Sequence, residues 1–119
     1  MDVVADLEGY VAPLNQGVGL YNPVTPIRAC DTRAGSNTLC SGNSLSPNNI
    51  VSINLSGNYG IPASGVSSVV LNVTATNTKS PGYFVCYPTG LQATTTSCVN
   101  FSTGETVANE VIVPIGANG

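Results

Sequence analysis

Asp31 and Arg33 form the most conspicuous charged pair in a chain that carries only six acidic and three basic residues. An arginine in this setting can hold the carboxylate of an acidic sugar or of a peptide terminus through two parallel hydrogen bonds. The structural alternative, which we favour, is that Asp31 caps a turn while Arg33 pairs with it or braces the neighbouring loop. Both residues are candidates for a ligand site.

Two pairs of tyrosine and asparagine, Tyr21-Asn22 and Asn58-Tyr59, lie next to predicted turns, where side chains are accessible to ligands. An aromatic ring can stack on the apolar face of a sugar, while a side-chain amide binds the hydroxyls. The alternative is that each tyrosine packs over the core with its hydroxyl at the rim. Both interpretations stay open, and the absence of tryptophan weakens the first.

The carboxylates do not predict catalysis or a metal site. Glu105 and Glu110 would point to opposite faces of an extended chain, which does not suit a glycosidase pair. Asp2, Asp6 and Glu8 are spaced to share a strand face, but they lack the pattern of a dedicated calcium loop. The chain has no histidine, and so lacks the usual general base and zinc ligand. We therefore expect no enzyme activity, no cofactor and no metal.

Neutral polarity takes the place of charge in this sequence. The net charge is -3, and no basic stripe is present that could bind nucleic acid or an anionic membrane surface. Asn, Ser and Thr together account for 37 of the 119 residues, a composition suited to turns, strand surfaces and the hydroxyl-rich face of a glycan. The apolar runs are too short to insert into a bilayer.

The four cysteines fall into two close pairs, Cys30 with Cys40 and Cys86 with Cys98. Neither pair has the C-x-x-C spacing of zinc or redox motifs, so disulfides are expected. Of the three possible connectivities we favour the two local bridges, each of which would stabilise the fold by roughly 3 kcal/mol in the chain-entropy model. Disulfides indicate an oxidising compartment, and hence a secreted or cell-surface protein.

The apolar pattern predicts strands throughout, because several segments alternate strictly and none keeps a helical period. In the clearest one, residues 69–76, we expect Val69, Leu71, Val73 and Ala75 to face inward. Residues 51–55 predict a second strand, and residues 83–87 and 98–101 predict a hairpin closed by its own disulfide. We expect residues 1–119 to form a single all-β domain, an antiparallel β-sandwich or jelly-roll-like fold of seven to eight short strands.

Several segments match a known pattern in order along the chain, and they are residues 26–33, 60–63, 70–76, 82–88, 99–104 and 106–116. Together they resemble a β-rich accessory or repeat module of secreted and cell-surface proteins from actinobacteria and other bacteria. The resemblance covers nearly the whole chain, and it implies location and fold more than activity. Residues 2–10 look like the segment that closes such a module, yet they open this chain. We therefore expect residues 1–11 to fold back as a permuted strand or to pair with a neighbouring copy, which would give a homo-oligomer.

These observations predict a non-catalytic, lectin-like extracellular module that binds a glycan through neutral polar side chains and tyrosine. The alternative is a structural spacer or self-assembling repeat module of a bacterial surface protein.

Overall fold

A computed structural model describes residues 1–13 and 19–119, and within them the chain forms β-strands and no helix. The strands are β1 (Asp2–Pro13), β2 (Gly19–Asp31), β3 (Ser68–Thr76), β4 (Gly82–Phe84), β5 (Val99–Phe101) and β6 (Val107–Pro114). The all-β prediction is confirmed. No helix that could cross a bilayer occurs in these two ranges.

Four strands form one antiparallel sheet in the order β2-β1-β3-β6. The N-terminal strand β1 therefore lies in the interior of its own chain's sheet, with β2 on one side and β3 on the other. The β1–β2 pairing contains two irregularities, between Ala5 and Asp6 and between Leu7 and Gly9. The β3–β6 pairing is regular from Ser68 to Ala75.

The core lies on one face of this sheet, where the alternation predicted for β3 is observed. Val69, Leu71, Val73 and Ala75 are all buried. The three larger ones, Val69, Leu71 and Val73, pack in a cluster with other buried apolar side chains, namely Val3, Leu7, Ala29, Leu55 and Ile61. Val70 points to the other face and is also buried, between Gly9 and Ile112 of the flanking strands.

Residues 51–55 were predicted to be a strand, and this prediction is wrong. The segment has no strand pairing, and Leu55 instead donates its N–H to the carbonyl of Gly119 (2.7 Å). Leu55 is buried while Ser52 and Asn54 are exposed. The alternation therefore reflects packing of an extended segment against the core rather than membership of a sheet.

The predicted hairpin forms a second, two-stranded sheet of β4 and β5, shorter than expected, with Phe84 opposite Val99. Phe84 packs against the main core, and Val99 is buried. Of the two predicted disulfides, the structure contains Cys30–Cys40. Cys86 and Cys98 are free thiols, so the second predicted bridge is absent. Strand pairing holds this end of the hairpin instead, with the Cys98 N–H donating to the Phe84 carbonyl (2.8 Å).

Candidate functional site

The six residues predicted to bind a ligand lie in three separate places. Tyr21 and Asn22 are near one end of β2, opposite Val11 and Tyr10 of β1. Asp31 is at the other end of the same strand, where it pairs with Val4 of β1. Arg33 lies two residues further along the chain, while Asn58 and Tyr59 lie in a loop from which Tyr59 packs against the core. The six residues do not share one pocket.

The two predicted tyrosines already use their hydroxyls within the protein. The Tyr59 hydroxyl donates to the carbonyl of Ala29 (3.2 Å), and its ring packs against the core. The Tyr21 hydroxyl donates to the carbonyl of Glu8 (3.2 Å), and its ring lies directly over Gly9, where any Cβ would clash. Tyr21 remains half exposed, so one side of its ring is accessible to a ligand.

Asp31 and Arg33 form a two-pronged ion pair with each other. Arg33 Nε donates to Asp31 Oδ1 (2.9 Å) and Nη2 donates to Oδ2 (2.7 Å). Asp31 is only 3% exposed, and Arg28 approaches it from β2 at 3.7 Å. The hydrogen bond from Arg33 outweighs burial and holds the pKa of Asp31 below its ordinary value. This geometry agrees with the alternative in which Arg33 has a structural role, because its guanidinium already binds a carboxylate of its own chain.

The loop closed by Cys30–Cys40 is braced from inside by hydroxyl groups. Ser36 Oγ and Thr38 Oγ1 both donate to the carbonyl of Asp31, at 2.7 and 3.0 Å. The Gly42 N–H donates to the carbonyl of Thr32 (2.9 Å) just beyond the bridge. Disulfide and hydrogen bonds together fix the path of residues 31–42.

A buried carboxylate, Asp2, ties this loop to the sheet. Thr32 Oγ1 donates to Asp2 Oδ1 (2.9 Å), Asn77 Nδ2 donates to Oδ2 (2.7 Å), and Ser44 Oγ also donates to Oδ1. Burial opposes ionisation of Asp2, but these hydrogen bonds outweigh it and hold the pKa of Asp2 below its usual value. Asp2 therefore acts as a hub that joins β1, the disulfide loop and the segment after it.

The other two carboxylates of β1, Asp6 and Glu8, interact with residues other than those that bind Asp2. Asp6 forms an ion pair with Arg28 (2.8 Å). Glu8 meets Glu110 of β6 across β3, and this contact is the main reason that the pKa of Glu8 is raised. Glu105 instead accepts the N–H of Ser102 in its own turn (2.7 Å). No cluster of three metal-ligating side chains is present in the part of the chain that the structure describes.

Beside the disulfide loop lies an open groove of about 300 Å³, and the residues that line it are Leu39, Cys40, Asn43, Ser44, Leu45, Asn49, Ile50, Val51 and Ser52. Two large aliphatic side chains at this groove are unusually exposed, Leu39 at 92% and Ile50 at 71%. Asn43 and Asn49 are exposed as well. None of these lining residues carries a charge, so the groove offers carbon surface together with neutral donors and acceptors.

The sequence interpretation missed this groove, because single exposed aliphatic residues are common and attract no notice. The only available signal was the placement of Leu39 and Ile50 within a stretch dense in Asn and Ser. A second open pocket, of about 320 Å³ between residues 88–91 and 114–117, is lined almost wholly by carbon and has few groups to orient a polar ligand.

No protein-family model, no curated protein and no solved structure matches the chain, so its function has to be argued from this geometry.

Proposed function

We propose that this protein is a non-catalytic extracellular module that binds an uncharged glycan in the groove beside the Cys30–Cys40 loop. The observation that carries the proposal is the combination of two exposed aliphatic side chains, Leu39 and Ile50, with exposed asparagine amides in one uncharged concavity. Small-ligand sites typically combine apolar surface with a few placed polar groups.

The chemistry of the groove suits a neutral sugar ring. The C–H faces of a sugar pack on aliphatic carbon, and its hydroxyls both donate and accept hydrogen bonds. Asn43 and Asn49 each supply an acceptor oxygen and two N–H donors, and Ser52 supplies a hydroxyl. An anionic sugar would find no cation among the lining residues, so we expect a preference for uncharged glycans.

The groove is held in shape before any ligand arrives. The Cys30–Cys40 bridge anchors one wall, and the hydrogen bond from Ser44 to Asp2 anchors another. The Leu45 N–H donates to the carbonyl of Met1 (2.8 Å), which fixes the segment against β1. Such preorganisation lowers the entropic cost of binding.

The extracellular part of the proposal rests on the disulfide, which is stable in oxidising compartments. It agrees with the resemblance to accessory modules of bacterial surface proteins. Tyr21-Asn22, Asn58-Tyr59 and Arg33 stay as alternative contact points for the same glycan.

A glycan array containing neutral and acidic sugars tests the proposal, followed by calorimetric titration of each hit. We expect Ile50→Ala and Asn49→Ala to weaken binding at least about tenfold, the effect of losing one apolar contact or hydrogen bond. Leu91→Ala is the matched control, because Leu91 is exposed to a similar extent (65%) but lies at the other pocket. An array without hits would contradict the proposal.

If Tyr21→Ala, Tyr59→Phe or Arg33→Ala lost binding while the groove variants kept it, the glycan would bind elsewhere on the module.

A second function, self-assembly through strand pairing, is favoured by the two edges of the large sheet. The edge strand β2 contains Pro23 and Pro26, which cannot donate to a neighbouring strand. The other edge strand, β6, has no proline before Pro114 and exposes Ile112 (67%). A β6 edge of a second copy could therefore extend the sheet.

Light scattering over a range of protein concentrations tests self-assembly. The proposal predicts a dimer that Ile112→Lys breaks and that the matched edge variant Ile27→Lys leaves intact. A monomer at all concentrations would contradict it.

A further inference from the structure

Cys86 and Cys98 are two free thiols that the β4–β5 hairpin brings together. Phe84 pairs with Val99, and the Cys98 N–H donates to the Phe84 carbonyl (2.8 Å), so Cys98 adjoins the last pair of the ladder and Cys86 follows two residues beyond Phe84 on the other strand. Burial raises the pKa of the Cys86 thiol, and the Cys98 thiol is close enough to raise it further. Neither thiol has another role in the groove or in the hydrogen-bond network around Asp2.

The two cysteine pairs of this chain differ in access. Cys30 and Cys40 are 0% and 4% exposed, and their bridge is enclosed between the sheet and the loop. Cys86 and Cys98 are both partly exposed. A dissolved thiol or disulfide can therefore reach the second pair far more readily than the first, and accessibility is a main determinant of exchange rates.

We propose that Cys86 and Cys98 form a reversible dithiol–disulfide couple that exchanges with small-molecule disulfides such as oxidised glutathione, while Cys30–Cys40 stays closed. This device is independent of glycan binding. The disulfide form constrains the hairpin that lies over the core beside β3 and β6, and the dithiol form leaves it free to open.

Exchange takes two steps. The thiolate of one cysteine attacks one glutathione sulfur and releases one glutathione thiolate, which leaves a mixed disulfide on that cysteine. The thiolate of the other cysteine then attacks this cysteine sulfur and releases the second glutathione. Both cysteine sulfurs are oxidised, the small disulfide is reduced, and the two released thiolates take up the two cysteine protons.

The bridge matters because this hairpin is short. Its two strands have three residues each, and so few paired residues hold a hairpin weakly. Closing the loop of residues 87–97 should lower the equilibrium constant for opening of the hairpin by roughly a hundredfold, given the constraint expected for a loop of this size.

The test incubates the folded protein in glutathione buffers of increasing oxidised fraction, then alkylates the remaining thiols and measures intact and peptide masses. We expect the two free thiols to disappear together, with a peptide cross-link between Cys86 and Cys98, and to reappear on reduction while Cys30–Cys40 persists. Protease cleavage within residues 87–97 should slow in the oxidised form.

Single variants separate this mechanism from chance oxidation. Cys86→Ser and Cys98→Ser should each stop at a glutathione adduct on the remaining cysteine. Circular dichroism of both variants checks that they fold. Thiols that stay alkylatable throughout, joint reduction of both cysteine pairs, or cross-links that include Cys30 or Cys40 would each overturn the proposal.

Discussion

Replacing Thr32 by valine should destabilise the protein by about 3 kcal/mol. Thr32 is fully buried, and its hydroxyl accepts the N–H of Val3 (2.9 Å) while donating to Asp2 Oδ1 (2.9 Å). Valine has the same shape, so no cavity forms, but the buried Val3 N–H loses its partner at a cost of about 1–3 kcal/mol. The lost hydrogen bond to the Asp2 carboxylate adds about 1.5–3 kcal/mol. Partial relaxation of the surrounding residues reduces the total loss of stability to about 3 kcal/mol.

Urea denaturation at neutral pH measures this loss. Thr32→Ser is the matched control, because it keeps the hydroxyl and removes one methyl group, which costs about 1 kcal/mol. If the valine variant were as stable as the serine variant, the Asp2 hub would not contribute to stability as described.

The same variant makes a pH prediction. The folded-state pKa of Asp2 is depressed, so its stabilising contribution is present above the unfolded pKa of about 3.8 and is lost as the pH falls through the folded value. Thr32→Val removes one of the hydrogen bonds that depress this pKa. The stability difference between wild type and variant should therefore shrink in acid, and a difference independent of pH would argue against this origin.

Three further predictions concern the sheet and its charges. Arg33→Ala should lower the free energy of unfolding in urea titrations, because it leaves the nearly buried Asp31 carboxylate with Arg28, at 3.7 Å, as its remaining cation. Glu110→Gln should raise stability at neutral pH but not near pH 3. Glu110 raises the folded-state pKa of Glu8, so the charge on Glu8 opposes folding only as the pH rises through this pKa. Thermal melts at both pH values check this. Gly9→Ala should lower the free energy of unfolding by about 1–3 kcal/mol in the same titrations, since the added Cβ clashes with the ring of Tyr21. Unchanged stability would mean that the Tyr21 ring moves away freely.

The strands were predictable wherever one face of a segment is buried. Alternation along β3 correctly placed Val69, Leu71, Val73 and Ala75 in the core. The hairpin was predictable because its strands are close in sequence. Residues 51–55 show the limit of this reasoning, since an extended segment that packs on a core has the same pattern as a strand but needs no partner.

The candidate site depended on contacts that no local pattern encodes. Asp2 binds Thr32, Ser44 and Asn77, which are 30, 42 and 75 residues away in sequence. Of these contacts, the one from Ser44 holds the groove-lining segment of residues 43–52 to β1.

Distances between predicted site residues also depend on the fold. Asn22 and Asp31 appear close in sequence, but they occupy opposite ends of one long strand. Glu110 meets Glu8 rather than Glu105 because the order of strands places β1 and β6 on either side of β3.

Chemical-shift mapping of the side-chain amides tests the central claim most directly. The protein, labelled with ¹⁵N, is titrated with the neutral glycan that gives the strongest array signal. The account predicts that the side-chain amide signals of Asn43 and Asn49 shift in a saturable manner, while that of Asn100 on the distant hairpin does not. Saturable shifts at Asn22 or Asn58 without any at Asn43 and Asn49, or no glycan that shifts the groove, would contradict it.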